Sequence, residues 1–69
     1  MIVFKRRDKV KVVDFPGLNG TVGEVVGIES GQYRRAVYNK YWVYSEDFKH
    51  PYLELDGLRW FYHREIELI

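Results

Sequence analysis

The chain lacks cysteine altogether, has only two prolines and shows almost no excess of one charge. Without cysteine it can form neither a disulfide framework nor a thiolate zinc site, two common means of stabilising a small domain. Its 69 residues give a single domain, residues 1–69, with no room for a second lobe or a cofactor-binding half. The formal charge of +1 is not the strong basic excess that many nucleic-acid-binding domains show.

Long apolar runs are also missing. No segment approaches the roughly 18 residues of a membrane-spanning helix, so we predict no association with a membrane. Residues 1–4 are followed by basic residues and have neither the order nor the length of a signal peptide. Together with the missing cysteines, these features predict a cytoplasmic protein.

Aromatic residues are abundant, with 6 Tyr, 4 Phe and 2 Trp. Each buries about 150–250 Å² in a core, so we expect them to replace the missing cross-links as the source of stability. Phe4, Trp60, some of the tyrosines and the valines of residues 21–28 are expected to form the core. Residues 33–44 carry more aromatic surface than so small a core requires, and this excess favours a binding partner.

The first half of the chain predicts two strands separated by a tight loop. Residues 9–12 alternate polar and apolar side chains and the strand continues through Val13, while residues 21–28 are rich in valine, as half-buried strands are. Gly23 and Gly27 interrupt the second strand and predict a bulge or a sharp bend there. Residues 14–20 are dense in turn formers, and their apolar tip is expected either to cover one open end of the fold or to contact a partner.

The second half predicts three more short strands. The order expected is a strand or hairpin at residues 33–44, an irregular segment at 45–56, a strand at 58–62, one 3₁₀ turn at 63–65 and a last strand at 66–69. A turn at Asn39-Lys40 would divide the first of these segments into a hairpin. About five short strands without a long helix favour a sheet that curls into a small barrel.

One stretch of the chain resembles a known motif. Gly20, Val22, Val25 and Ile28 occupy the places of the pattern Gly-x-Val-x-x-Val-x-x-Ile, which is typical of the KOW motif in the SH3-like barrels of ribosomal proteins and transcription elongation factors. The resemblance covers about 20 residues and implies that glycine shapes the loop while the valines fill a barrel. The basic tail of those proteins is absent here.

The C-terminal part is similar to a second group. The segment Glu65-Ile66-Glu67-Leu68 resembles the ending of SH3-like electron-transfer accessory proteins, such as the variable chain of ferredoxin–thioredoxin reductase. Together the two resemblances imply an all-β fold, namely a small SH3-like five-stranded, partly open barrel with a 3₁₀ turn before the last strand. Neither group is catalytic in this domain, so the resemblance implies a binding or docking module.

Residue types suited to catalysis are scarce. The chain has 2 His, at positions 50 and 63, and serine only at positions 30 and 45, so no Ser-His-acid triad is indicated. No set of histidines and carboxylates has metal-ligand spacing, and the glycines near residue 20 lack the Lys-Ser/Thr and the helix of a phosphate loop. The sequence therefore predicts a protein that is not an enzyme, with no catalytic residue, no metal, no cofactor and no small-molecule substrate.

Positive charge is concentrated in the first part of the chain. Residues 1–44 carry eight basic and four acidic side chains, a net charge of +4, whereas residues 45–69 carry three and six, a net charge of −3. This asymmetry is either an ordinary solvated surface or a basic face for an anionic partner.

Residues 33–44 interleave aromatic and basic side chains, a pattern suited to stacking on unpaired bases and to phosphate contacts. Our first hypothesis is therefore nucleic-acid binding, to RNA or single strands. The predicted contacts are Arg6, Arg7, Lys9, Tyr33, Arg34, Arg35, Lys40 and Tyr41. The second hypothesis is docking onto a larger enzyme or electron-transfer complex as an accessory, regulatory or inhibitory subunit, because tyrosine is also common at protein interfaces. A third interpretation needs no partner, with the outer tyrosines packed under residues 45–56.

Overall fold

Five short strands make up the sheet in the computed structural model, which describes residues 3–31, 35, 38–48 and 57–69. The strands are β1 Lys9–Val12, β2 Val22–Glu29, β3 Lys40–Tyr44, β4 Leu58–Tyr62 and β5 Ile66–Leu68, and a 3₁₀ helix, His63–Glu65, lies between β4 and β5. The predicted all-β fold with a 3₁₀ turn before the last strand is confirmed. Tyr62 N–H donates to the Glu65 carboxylate at 2.7 Å, which holds this turn at its start.

The strands form one antiparallel sheet in the order β4-β3-β2-β1-β5. β1 to β4 follow one another as neighbours, and β5 returns to the other side of β1, where Val12 pairs with Ile66. β4 and β5 are the two edges of this sheet and do not pair with each other, so the sheet is not closed. β1 therefore lies between partners on both sides, and both of its valines are buried.

A β-bulge interrupts the pairing of β2 with β3, as the two glycines of β2 predicted. Val25 pairs with Val43 and Gly27 with Trp42, so Val26 is the extra residue. The insertion reverses the alternation of side chains along β2. Val25, before the insertion, pairs with the buried Val43, whereas Gly27, beyond it, pairs with the outward-facing Trp42.

The connection between β2 and β3 differs from the prediction. Lys40 belongs to β3 and pairs with Glu29, so the proposed turn at Asn39-Lys40 is wrong. A two-residue hairpin turn needs positive φ at its central positions, and no glycine is available there. The strands are joined instead by residues 30–39, in which Asn39 Oδ1 accepts a hydrogen bond from Gly31 N–H at 3.0 Å.

The core lies on one face of the sheet and is built from aromatic and branched side chains. Its buried members are Phe4, Val10, Val12, Val25, Tyr41, Val43, Phe48, Phe61 and Ile66. The expectation for Phe4 is confirmed, whereas that for Trp60 is wrong, because Phe61 takes the inward position on β4 and Trp60 lies half-buried on the opposite face. Phe48 comes from the segment that the sequence left irregular, and its ring lies 5.7 Å from that of Phe61.

The loop between β1 and β2 packs against the core, as the first alternative for its apolar tip predicted. Phe15 and Leu18 are partly buried against the core cluster, and the Phe15 ring meets Phe61 edge-on at 5.7 Å. The Arg59 guanidinium carbon lies 4.2 Å from the centre of the Phe15 ring, a cation–π contact from β4 onto the loop. The loop therefore covers one end of the fold.

The described residues contain no helix that is long and apolar enough to cross a membrane.

Candidate aromatic binding face

The face of the sheet opposite the core carries a cluster of large side chains on β3 and β4. Side chains alternate along a strand, so the neighbours of the buried Tyr41, Val43 and Phe61 point outwards. Cross-strand pairing then brings these neighbours together as Lys40 with Tyr62, Trp42 with Trp60 and Tyr44 with Leu58. We call these six residues the aromatic face.

The rings of the aromatic face contact one another and a cation. Trp60 and Tyr62 meet edge-on with ring centres 5.0 Å apart, and Lys40 Nζ lies 4.7 Å from the centre of the Trp60 ring. Tyr44 keeps 47% and Tyr62 37% of its surface exposed. Exposed rings held in place by their neighbours can stack on a planar ligand, and the nearby ammonium group can contact an anion.

The bulge in β2 places a glycine beside the centre of the aromatic face. Gly27 lies opposite Trp42, and a Cβ atom placed on this glycine would lie 3.6 Å from Trp42 Cβ and Cδ1. No side chain of Gly27 therefore separates the indole from the backbone of β2. The absence of a side chain on β2 leaves the middle of the face to the two tryptophans.

The end of the aromatic face at Lys40 carries the ammonium group of that residue, and we call it the basic end. Arg35 is exposed in the adjoining turn, where Tyr38 N–H donates to Arg35 C=O at 3.0 Å. A polar pocket of about 350 Å³ opens here, lined by Glu29, Ser30, Gly31, Tyr38, Lys40 and Tyr62. Glu29 pairs with Lys40 across the strands and contributes the one carboxylate of this lining.

The opposite end of the face, beside Tyr44, has an acidic character, and we call it the acidic end. A groove of about 430 Å³ lies here, lined by Lys9, Val22, Gly23, Glu24, Tyr44, Ser45, Glu46 and Asp47. Lys9 forms an ion pair with Glu24 at 3.2 Å, whereas Glu46 and Asp47 are exposed. This groove is therefore net acidic, whereas Glu29 and Lys40 balance in the lining of the basic end.

The structure places the predicted cations in different surroundings. Arg6, Arg7 and Arg35 are exposed, and Lys40 lies on the aromatic face. Lys9 is exposed but already faces a carboxylate, which makes it a weaker candidate for a phosphate contact. Arg7 N–H donates to Val25 C=O at 2.8 Å, so this basic turn runs along the middle of β2, one strand away from β3. The predicted contacts Tyr33 and Arg34 lie outside the described residues.

Tyr41 is fully buried, so the prediction that its ring contacts a partner is wrong. It alternates with the outward-facing residues of β3 and meets Phe4 edge-on at 5.0 Å. Its hydroxyl accepts a hydrogen bond from Asn39 Nδ2 at 3.1 Å and lies 3.4 Å from His63 Nδ1. Tyr41 therefore links the end of the β2–β3 connection to the 3₁₀ helix.

Replacing Tyr41 by Phe should lower the free energy of unfolding by about 1 kcal/mol. The substitution removes the hydroxyl partner of Asn39 and His63 without altering the ring in the core. Urea denaturation would measure the change, with Tyr44→Phe as the matched control because the Tyr44 ring is largely exposed. Equal effects of the two substitutions would show that the buried hydroxyl contributes nothing.

The outward residues of β4 were missed as site residues at the sequence level. The alternation across Leu58, Trp60 and Tyr62 was visible, but it does not say which of the two sets faces the core. The tryptophan in this set is large enough to be placed in the core by size alone. The information needed to identify these residues is the pairing of β4 with β3, which places Trp60 beside Trp42.

The described residues include no group of three or more histidine or acidic side chains placed to hold a metal ion. His63 stacks on Phe4 with ring centres 4.9 Å apart, and its Nδ1 faces the Tyr41 hydroxyl. This histidine thus connects the turn before β5 to the core. The chemistry that the described surface offers is concentrated on the aromatic face.

Comparison of the chain with protein-family models, with curated proteins and with solved structures found no significant match to any of them.

Proposed function

We propose that this protein is a non-enzymatic module that binds single-stranded nucleic acid, RNA or DNA, on the aromatic face. The observation that carries the proposal is the cross-strand pair of Trp42 and Trp60 on the side of the sheet away from the core, with Lys40 above the Trp60 ring. We further propose that it is an SH3-like barrel protein of the cytoplasm. The bulged second strand after Gly20 and the 3₁₀ turn before β5 support that assignment.

Base stacking is the attraction that the aromatic face supplies. Each base that stacks on an aromatic side chain contributes about 1–3 kcal/mol, and the contribution depends little on sequence because every base has a flat face. Tyr44 and Tyr62 stand at opposite ends of β3 and β4 with the tryptophans between them. The face therefore offers successive rings along one line, as an extended single strand requires.

Phosphate contacts come from the cations around the face. Lys40 lies at the basic end, Arg35 is exposed in the turn before Tyr38, and the exposed Arg6 and Arg7 lie in the turn beside β2. Each phosphate that a protein neutralises on a single strand adds about −0.7 to the slope of log affinity against log salt. Three such contacts would weaken binding roughly 20-fold between about 50 mM and about 200 mM salt.

A second candidate function is docking onto a larger protein. The acidic end favours it, because Glu46 and Asp47 repel phosphate but would attract basic side chains of a protein partner. Exposed tyrosines also suit protein interfaces. The two candidates differ in their response to an oligonucleotide, so one titration separates them.

The two tryptophans of the chain provide a direct readout, since both lie on the aromatic face. We expect single-stranded RNA and DNA oligonucleotides to quench their fluorescence in a saturable manner, with the salt dependence given above. The absence of binding at low salt up to micromolar protein would exclude nucleic acid. Capture of one stoichiometric protein from a nuclease-treated lysate would then favour docking.

Replacing Trp42 by Ala should weaken oligonucleotide binding by roughly 5- to 150-fold, which corresponds to the loss of about 1–3 kcal/mol of stacking. In a separate variant, Arg35→Glu should also weaken oligonucleotide binding. It should make the slope of log affinity against log salt less steep, because a cation near the face becomes an anion. Binding is measured by anisotropy of a labelled oligonucleotide. Arg64→Glu is the matched control, since Arg64 is exposed on the 3₁₀ helix and lines a different pocket, with Phe4 and Val13. Equal losses from Arg35→Glu and Arg64→Glu would contradict the assigned face.

A further inference from the structure

We propose that the exposed turn of residues 5–8, which we call the arginine turn, is the phosphate site of the bound strand. The bases then lie on the rings of β3 and β4, and the sugar-phosphate backbone lies on the β2 side of the aromatic face. This orientation rests on the proposed function and makes it more specific. The feature that points to it is the left-handed backbone of Arg7, with a φ of 75°.

Arg7 adopts a conformation that its residue type avoids. In the described part of the chain it is the one residue other than glycine with a positive φ. A left-handed backbone crowds Cβ against the following carbonyl oxygen, so glycine is the usual residue at such a position. Side chains that are kept there in spite of this cost cluster at binding and catalytic sites. The turn itself could be formed by glycine, which indicates that this position is occupied for the guanidinium group.

Backbone hydrogen bonds hold the arginine turn in place on β2. Asp8 N–H donates to Lys5 C=O at 3.1 Å, and the Asp8 carboxylate accepts a hydrogen bond from Lys5 N–H at 2.8 Å. Val25 faces two successive residues, because its C=O accepts from Arg7 N–H at 2.8 Å and its N–H donates to Asp8 C=O at 2.9 Å. This is the arrangement of a β-bulge whose first residue is ordinarily a left-handed glycine. The turn is thus ordered before a ligand arrives, which lowers the entropic cost of binding.

The arginine turn is net cationic. Lys5, Arg6 and Arg7 are exposed, and Asp8 is the one carboxylate of the turn, so its formal charge is +2. The ion pairs among the described residues belong to Lys9 and Lys11, which leaves both arginines without a carboxylate partner in that part of the chain. The planar guanidinium group can donate two parallel hydrogen bonds to a phosphate.

β2 lies between the arginine turn and Trp42. Val25 bonds to Arg7 on one side of β2 and Gly27 pairs with Trp42 on the other, so the two backbones are two strand spacings apart, about 10 Å. A nucleotide stacked on the indole and a long arginine side chain can meet across that distance. At this level β2 consists of Val25, Val26 and Gly27, and its carboxylates, at positions 24 and 29, lie further along the strand on either side. A phosphate can therefore approach the turn over β2 without passing directly over a carboxylate of that strand.

Arg7→Gly separates the guanidinium group from the turn that carries it. Removal of one phosphate contact should lower oligonucleotide affinity roughly fivefold at about 0.1 M salt and make the slope of log affinity against log salt about 0.7 less steep. The same variant should unfold at a higher urea concentration, because glycine fits the left-handed backbone. Arg6→Gly should lose as much affinity without this gain in stability, since φ of Arg6 is not positive. Arg64→Gly is the control and should bind like the unmodified chain.

Gly27→Asp tests the side of the aromatic face on which the phosphates lie, with Gly27→Asn as the control of matched size. A Cβ atom at this position makes only ordinary contacts, so both variants should fold. The carboxylate should weaken oligonucleotide binding roughly three- to fivefold relative to the amide, which is the repulsion of two unit charges about 4–6 Å apart in water. Phosphates on the β4 side would be further away and largely screened, and the two variants would then bind alike.

The possible results separate this orientation from the proposed function. An unmodified chain that binds no oligonucleotide overturns both. Binding that Trp42→Ala weakens, but that Arg6→Gly and Arg7→Gly leave unchanged, overturns the phosphate site and retains the aromatic face. Equal affinities of Gly27→Asp and Gly27→Asn overturn the orientation. An Arg7→Gly chain that unfolds at a lower urea concentration than the unmodified chain would remove the strain on which the proposal depends.

Discussion

Gly23→Ala is expected to remove a large share of the free energy of unfolding. Gly23 lies in β2 opposite Val10, and a Cβ atom on it would approach the Tyr44 carbonyl oxygen and Val43 Cγ1 to 2.6 Å each. A backbone oxygen that belongs to a paired strand cannot rotate away, so β2 and β3 would have to separate. Overpacking of this kind typically costs about 1–3 kcal/mol and occasionally more. The whole stability of a chain this long is roughly 3–10 kcal/mol.

Gly27→Ala is the matched control for that experiment, because it makes the same change in the same strand. Its added Cβ would lie 3.6 Å from the nearest atoms of Trp42, an ordinary contact distance. Alanine is favoured over glycine inside a strand by roughly 0.5–1 kcal/mol, so this variant should be as stable as the unmodified chain or more so. Urea denaturation followed by circular dichroism measures both variants. A Gly23→Ala protein that matches Gly27→Ala would contradict the close approach of β2 and β3.

Phe61→Ala should cause the second large loss, about 3–5 kcal/mol of the free energy of unfolding. Phe61 is fully buried, and its ring touches both covers of the core, the β1–β2 loop through Phe15 and the segment after β3 through Phe48. Its removal leaves a cavity that two rings from different loops cannot fill together. Chemical denaturation at several temperatures gives the free energy, since the variant is expected to be partly unfolded at 25 °C.

The neighbouring substitution Trp60→Ala provides the comparison. Trp60 is the larger residue, but it lies half-buried on the aromatic face, so its removal should cost less than about 1.5 kcal/mol. A Trp60→Ala variant would then stay folded and, under the proposed function, bind oligonucleotides more weakly, whereas a Phe61→Ala variant would lose much of its stability. If Trp60→Ala proved less stable than Phe61→Ala, then Trp60 and not Phe61 would face the core.

Local patterns were sufficient to predict most of the strands. The alternation in residues 9–12 and 58–62 and the β-branched content of β2 correspond to β1, β4 and β2 within a residue or two. Two glycines in one strand correctly indicated the bulge. These features depend only on residues close together in the chain, which is why the sequence alone reveals them.

The side of β4 that faces the core could not be predicted in this way. Alternation separates Trp60 from Phe61, but both are large and apolar, and the period of two is the same for either choice. The choice is made by tertiary contacts, since Phe61 pairs with the buried Tyr41 across β3 and β4. Phe48 was missed for a related reason. It reaches the core from a turn, in which Phe48 N–H donates to Ser45 C=O at 3.1 Å, and a turn has no periodicity to detect.

The candidate site was predicted only in part. Lys40, a predicted contact, lies on the aromatic face, but Tyr41, its neighbour, points into the core because a strand turns successive side chains to opposite faces. Composition indicated that residues 33–44 hold excess aromatic surface. It could not show that half of the aromatic face comes from β4, which only the β3–β4 register reveals.

The pairing of β1 with β5 has a consequence for how the chain folds. Val12 and Ile66 meet in the sheet although most of the domain lies between them, so this contact closes a loop of more than fifty residues. The entropy of closing so long a loop is lost before the contact stabilises anything, which makes sheets of this kind slow to fold compared with helical domains. We expect β2, β3 and β4, whose pairings are the more local ones, to assemble first. Docking of β5 against β1 would then be the late step that commits the domain to its native state.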